Sequence, residues 1–186
     1  SIINSLDLNQ IPNIPKGVHS IACDSTFEKV ALAEFGGIHV ISFVTDQVYS
    51  FEVNNPKSIT FSPDGRYLVA TSADGINFWD FVEGDTANMN LSDGIDPRVS
   101  QIAFSSDGRQ VVFVFDNIIG LLDISDGSNV QTFGKSDSLY VGVSFCNDDK
   151  YIATISEEGI IMIWDVKTLT EVAANYEEIP DVIHHD

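Results

Sequence analysis

The chain repeats itself, and that constrains its fold more than any single motif. The segment Ser58 to Asp80 (SITFSPDGRYLVATSADGINFWD) aligns with Gln101-Ile-Ala-Phe-Ser-Ser-Asp-Gly running on to Leu122-Asp123. It aligns again with Gly142-Val-Ser-Phe-Cys-Asn-Asp-Asp running on to Trp164-Asp165. A weaker copy runs from Ser20-Ile-Ala-Cys-Asp to Val40-Ile41-Ser42. With Cys23, Phe61, Phe104 and Phe145 as anchors, the steps are 38, 43 and 41 residues. From anchor to unit end (Ser42, Asp80, Asp123, Asp165) the distances are 19, 19, 19 and 20. Constant interiors and variable spacing mean one supersecondary unit copied four times, with length differences confined to connecting loops.

Each unit reads as three closely spaced strands and a looser fourth. In the second unit, Ser58 to Ser62 alternates apolar and polar residues, and Pro63-Asp64-Gly65 closes the strand with a turn. Tyr67 to Thr71 is nearly continuous apolar sequence, as a strand buried on both faces should be. Asp74-Gly75 signals a two-residue hairpin into a strand from Ile76 to Phe81. The third unit repeats the pattern with Asp107-Gly108, Gln110 to Phe115, Asp116-Asn117 and Ile118 to Ile124. The fourth repeats it with Asp148-Asp149, Tyr151 to Ile155, Glu158-Gly159 and Ile160 to Val166. Helical period is absent except for an ambiguous stretch from Thr168 to Glu178, whose first half reads as the outer strand of the last unit.

These units resemble the WD-repeat (WD40) family. Trp79-Asp80 and Trp164-Asp165 match its signature dipeptide, Leu122-Asp123 is a degenerate copy, and Phe-Ser-Pro-Asp-Gly at 61–65 matches its first-strand-to-turn pattern. The resemblance spans about residues 18–175. It implies an all-β fold, a β-propeller of about four four-stranded blades at 18–55, 56–97, 98–139 and 140–176, with flanking segments at 1–17 and 177–186. Propellers close with roughly four to eight blades, and seven is usual in this family. The four units are therefore expected to be part of a larger ring. A partial ring exposes blade faces and strand edges, so dimerisation or a complementary chain is expected to cover them.

The family's buried tetrad is expected to be incomplete. No Gly-His pair precedes a first strand, Asp74 stands five residues before Trp79 rather than six, and Glu158 replaces Asp before Trp164.

Composition narrows the partners. Lys and Arg number 9 against 28 Asp and Glu, a formal charge of -19. Such a surface repels phosphate backbones and anionic head groups, so direct nucleic-acid and membrane binding are disfavoured while basic peptides or subunits are attracted. Cys23 and Cys146 are too few and too far apart for a disulfide scaffold and read as small buried hydrophobes, which points to an intracellular, reducing setting. No apolar run reaches the roughly 18 residues needed to span a bilayer.

The sequence offers no catalytic constellation, cofactor motif or metal site. His39 falls in a predicted strand, His184-His185-Asp186 lacks converging ligands, and Asp123 to Asn129 lacks the alternating oxygens of a calcium loop. A propeller hydrolase or lactonase with a channel-bound metal would require clustered His and acids, which these blades lack. The function expected is a protein-protein interaction scaffold, or a half-ring completing a partner subunit's propeller. The resemblance places the loops before each first strand and the second-to-third-strand hairpins on one rim. Lys57, Arg98 and Tyr140 on the loops, with Asp74, Asp116 and Glu158 on the hairpins, are the candidate contact residues, Arg and Tyr being favoured interface anchors.

Overall fold

The computed structural model describes residues 17–81, 99–124 and 130–175, and the backbone of 88–90. Among the described residues every regular element is a β-strand. The first sheet holds β1 (Ser20–Cys23), β2 (Lys29–Glu34), β3 (Gly37–Ser42) and β4 (Gln47–Glu52). The second holds β5 (Ser58–Phe61), β6 (Tyr67–Ser72), β7 (Gly75–Asp80) and β8 (Asn88–Asn90). The third holds β9 (Val99–Phe104), β10 (Gln110–Phe115), β11 (Ile118–Asp123) and β12 (Val130–Phe133). The fourth holds β13 (Tyr140–Cys146), β14 (Tyr151–Ser156), β15 (Ile161–Asp165) and β16 (Thr170–Asn175). All four are antiparallel meanders in chain order.

Register assigns each side chain to one of two faces, because cross-strand partners share a face and neighbours along a strand do not. Phe61, Leu68 and Trp79 lie in one row, as do Phe104, Val111 and Leu122, and Phe145, Ile152 and Trp164. In each case this row faces the preceding sheet, and is called here the leading face. The trailing face of the first sheet (Ala31, Ala33, Ile38, Val40) packs on the leading face of the second through Phe61, Leu68, Ala70 and Trp79. Val69, Ile76 and Phe78 on the trailing face of the second meet Val111, Phe113 and Leu122 of the third. Val112, Val114, Ile119 and Leu121 of the third then meet Ile152, Met162 and Trp164 of the fourth. The inner strands β1, β5, β9 and β13 pack in succession, but β13 does not return to β1, so the four sheets form an open arc.

The burial of each strand follows from its place in this stack. β6, β7, β10 and β11 lie between two neighbours and are buried on both faces, which is why they read as continuous apolar runs. In the fourth sheet β14 alternates, with Ile152, Thr154 and Ser156 buried and Ile155 half-buried. Its trailing face leaves Ile161 41% exposed, with Val172 at 53% on the outer strand beside it. The leading face of the first sheet is similarly open at Ile21 and Val48.

Some sequence expectations are corrected. Cys23 is exposed and Cys146 half-exposed, because the register puts Cys23 on the open leading face and Cys146 on the open trailing face. The β6–β7 loop is Ala73-Asp74 rather than Asp74-Gly75, since Gly75 already pairs with Ser72 at φ +114. The last hairpin is longer than two residues, Ser156 N donating to Ile160 O across Glu157, Glu158 and Gly159. Asp116-Asn117 is the two-residue turn the sequence predicts, with Asp116 at φ +48.

Candidate interaction rim

The loops entering first strands and the second-to-third-strand hairpins are tied together at one end of the sheets. Ala73 N donates to Asn54 O at 2.9 Å and Lys57 N to Thr71 O at 2.8 Å, fastening the loop before β5 to the β6–β7 hairpin. Asn54 Nδ2 lies 3.4 Å from Asp74 Oδ1, so Asp74 is held beside the same loop. One sheet further on, Asn117 Nδ2 donates to Ser136 O at 2.6 Å and Tyr140 N to Asp116 O at 2.7 Å, linking the third sheet's hairpin to the start of the fourth sheet. Glu157 N donates to Leu139 O at 2.9 Å, placing the Glu158 turn beside the loop before β13.

Lys57, Asp74 and Glu158 are exposed on this rim and Asp116 is half-exposed. Arg98 lies outside the described residues. Tyr140 does not fit the anchor role: it is 2% exposed, packs in the core between the third and fourth sheets, and its hydroxyl donates to Gly134 O at 2.5 Å. Two apolar rim residues were missed by the sequence reading. Phe35, in the β2–β3 hairpin where later units carry acids, is 78% exposed with its ring 5.8 Å from that of His19; Leu139 is 45% exposed. The available signal was the contrast between Phe35 and the acidic residues at equivalent turns. His19 itself is fixed across the first interface, Nε2 lying 2.6 Å from Pro56 O.

The opposite rim carries the first-to-second-strand turns, and in the first three sheets the side chain that opens the turn organises it. Asp24 Oδ1 accepts from the amides of Glu28 (2.8 Å) and Lys29 (3.0 Å); Ser62 Oγ accepts from Tyr67 N, and Ser105 Oγ from Gln110 N, each at 2.9 Å. Burial raises the Asp24 pKa, but the Lys29 amide, the Thr26 hydroxyl and the Lys29 ammonium outweigh it and hold the carboxyl below the usual value. Asp107 is also held low, first by the Arg109 amide and then by the Ser105 hydroxyl. Arg66 meets the Asp80 carboxylate with two nitrogens, at 2.8 and 3.1 Å, so the Asp of the Trp79-Asp80 dipeptide anchors its own unit's turn. Ser106 donates to Asp149 through both its amide and its hydroxyl, joining adjacent turns.

The tryptophans point to preceding sheets: Trp79 lies 5.0 Å from Phe51 and Trp164 lies 5.8 Å from Phe133, ring centre to ring centre. Trp164 Nε1 donates to Thr154 Oγ1 at 3.0 Å. The position equivalent to Thr154 in the second unit is Ala70, which has no hydroxyl to offer. His39 faces away from these tryptophans, Nδ1 lying 2.9 Å from Ser50 Oγ and Nε2 3.2 Å from Glu34 Oε1.

Four antiparallel four-stranded sheets stacked leading face on trailing face define an arc of β-propeller blades. Residues 45–80 and 127–165 match the family model described as "WD domain, G-beta repeat". The first match runs from just before β4 to the end of β7, and the second ends with β15. A sequence repeat thus begins at the outer strand of one sheet and finishes on the third strand of the next. Similar proteins include "Pre-mRNA-processing factor 19 homolog 2" of Arabidopsis thaliana, 24% identical over 61% of this chain and 22% of its own length. "Target of rapamycin complex subunit wat1" of Schizosaccharomyces pombe is 24% identical over 69% of this chain and 42% of its own length. "WD repeat and HMG-box DNA-binding protein 1" of Mus musculus is 25% identical over 58% and 10%. The aligned stretch spans less than half of each of these relatives.

Proposed function

We propose that this chain is a non-enzymatic protein-protein interaction scaffold, a WD-repeat platform that works within an intracellular multi-subunit complex. The observation that carries the reading is the direction of the stack. All three internal interfaces join a trailing face to a leading face, and the trailing face of the fourth sheet keeps apolar Ile155, Ile161 and Ile163 incompletely covered. Apolar surface of this kind in a rigid stack is a binding surface. A further sheet with a leading face fits it, so the arc is completed by more of the same architecture. The names of relatives as a complex subunit and a pre-mRNA-processing factor support the same class of role. Lys57, Asp74, Asp116 and Glu158 are then rim contacts for proteins, with the acidic excess favouring basic segments.

Light scattering over a wide concentration range, with Ile161→Asp as the comparison, tests this. Association of the wild type that Ile161→Asp abolishes supports the reading. A monomer at every concentration removes the second copy as occupant, and if co-expressed candidate subunits also fail to add mass, the sheet-face reading fails.

A further inference from the structure

The described residues hold three Asp-Gly pairs, Asp64-Gly65, Asp74-Gly75 and Asp107-Gly108. Such a pair is able to close on itself. The glycine nitrogen attacks the aspartyl Cγ, a C–N bond forms, the Cγ–OH bond breaks, and the hydroxyl leaves with the amide proton as water. Water then opens the cyclic imide at either carbonyl. One opening restores aspartate; the other gives isoaspartate, in which the main chain runs through the former side chain. Glycine favours closure because no Cβ obstructs its nitrogen.

Neither access nor the glycine amides separate the three pairs. All three aspartates are exposed. Gly65 N donates to Ser62 O at 2.8 Å, Gly108 N to Ser105 O at 3.0 Å, and Gly75 pairs with Ser72 across its hairpin. The carboxylates differ. Asp64 Oδ1 accepts from the Ser62 hydroxyl at 2.5 Å and the Arg66 amide at 3.1 Å. Asp107 Oδ1 accepts from the Ser105 hydroxyl at 2.7 Å and the Arg109 amide at 3.0 Å. Before Cγ of either residue reaches the glycine nitrogen, both bonds must break. Among the described residues, the Asp74 carboxylate meets only Asn54 Nδ2, at 3.4 Å, beyond the usual range of a hydrogen bond.

We propose that Asp74-Gly75 is a site of spontaneous isoaspartate formation on the rim, and that the bonded turns protect Asp64 and Asp107 from the same reaction. The product adds one main-chain carbon to a hairpin tied to the loop before β5, Ala73 N to Asn54 O and Lys57 N to Thr71 O. Ageing then alters the rim beside Lys57, whatever that rim binds.

The folded chain is held for several weeks in mildly acidic buffer at physiological temperature, with a parallel sample in urea. Peptide mapping with electron-transfer fragmentation reads isoaspartate at each of the three positions. In the folded chain, isoaspartate at Asp74 is expected to accumulate about tenfold faster than at Asp64 or Asp107, the factor that about 1.4 kcal/mol of restraint gives. In urea the three rates are expected to converge. No isoaspartate at Asp74 in the folded chain, or rates at Asp64 or Asp107 that match it, overturns the proposal. The same order of rates in urea also overturns it, because the folded carboxylate bonds are then not the cause.

Discussion

The indole of Trp164 donates to the hydroxyl of Thr154 at 3.0 Å, between two residues that are both buried. Val in place of Thr154 keeps the shape and removes the acceptor. The buried N–H then loses its partner, and Thr154→Val is expected to cost about 1–3 kcal/mol. Urea unfolding followed by tryptophan fluorescence measures it. An unchanged midpoint would mean that the bond contributes nothing net.

Gly120 lies beneath the ring of Phe113, where an added Cβ would sit 2.3 Å from ring carbons. Gly120→Ala is expected to destabilise by about 1–3 kcal/mol through overpacking. Phe113→Leu should relieve part of this, so the double variant should lose less than the two single variants together. A strictly additive cycle would contradict the close approach.

Tyr140 acts as a core residue. Tyr140→Phe removes the hydroxyl, with its bonds to Gly134 O and Met162 Sδ, and is expected to cost about 1 kcal/mol. Tyr140→Ala empties the interface between the third and fourth sheets and is expected to cost about 3–5 kcal/mol. Equal, small effects in guanidinium unfolding would return Tyr140 to the surface.

Acid should weaken the first sheet through Asp24. Its folded pKa lies below its unfolded one, so the ionised carboxylate contributes stability above the unfolded value of about 4. That contribution is lost as pH falls through the folded value. Asp24→Asn is expected to lower the urea midpoint at neutral pH and to narrow the difference between neutral pH and pH of about 3. Identical pH profiles for variant and wild type would show that Asp24 is not held low.

The repeat was legible because its markers are local: Phe61, Phe104 and Phe145 sit at fixed distances from the turns and strand ends that follow. Tyr140 was misread for a reason the sequence does not mark. Alternation counted back from Phe145 and Val143 would turn Tyr140 outward, but a bulge between Tyr140 and Gly142 shifts the register and turns it in. Leu139 and Val141 are exposed as a result. Cys23 was misread because its burial depends on whether another sheet lies over the first, which no local pattern encodes.

The one-way stacking of the sheets has a consequence for counting. Each interface is heterologous, and heterologous contacts close into a ring only when the rotation per step divides a full turn. In a closed ring of such sheets the number of blades would be a geometric quantity, set by the rotation from one sheet to the next. Residues that set the spacing of the inner strands would then bear on that rotation as much as those that meet a neighbour.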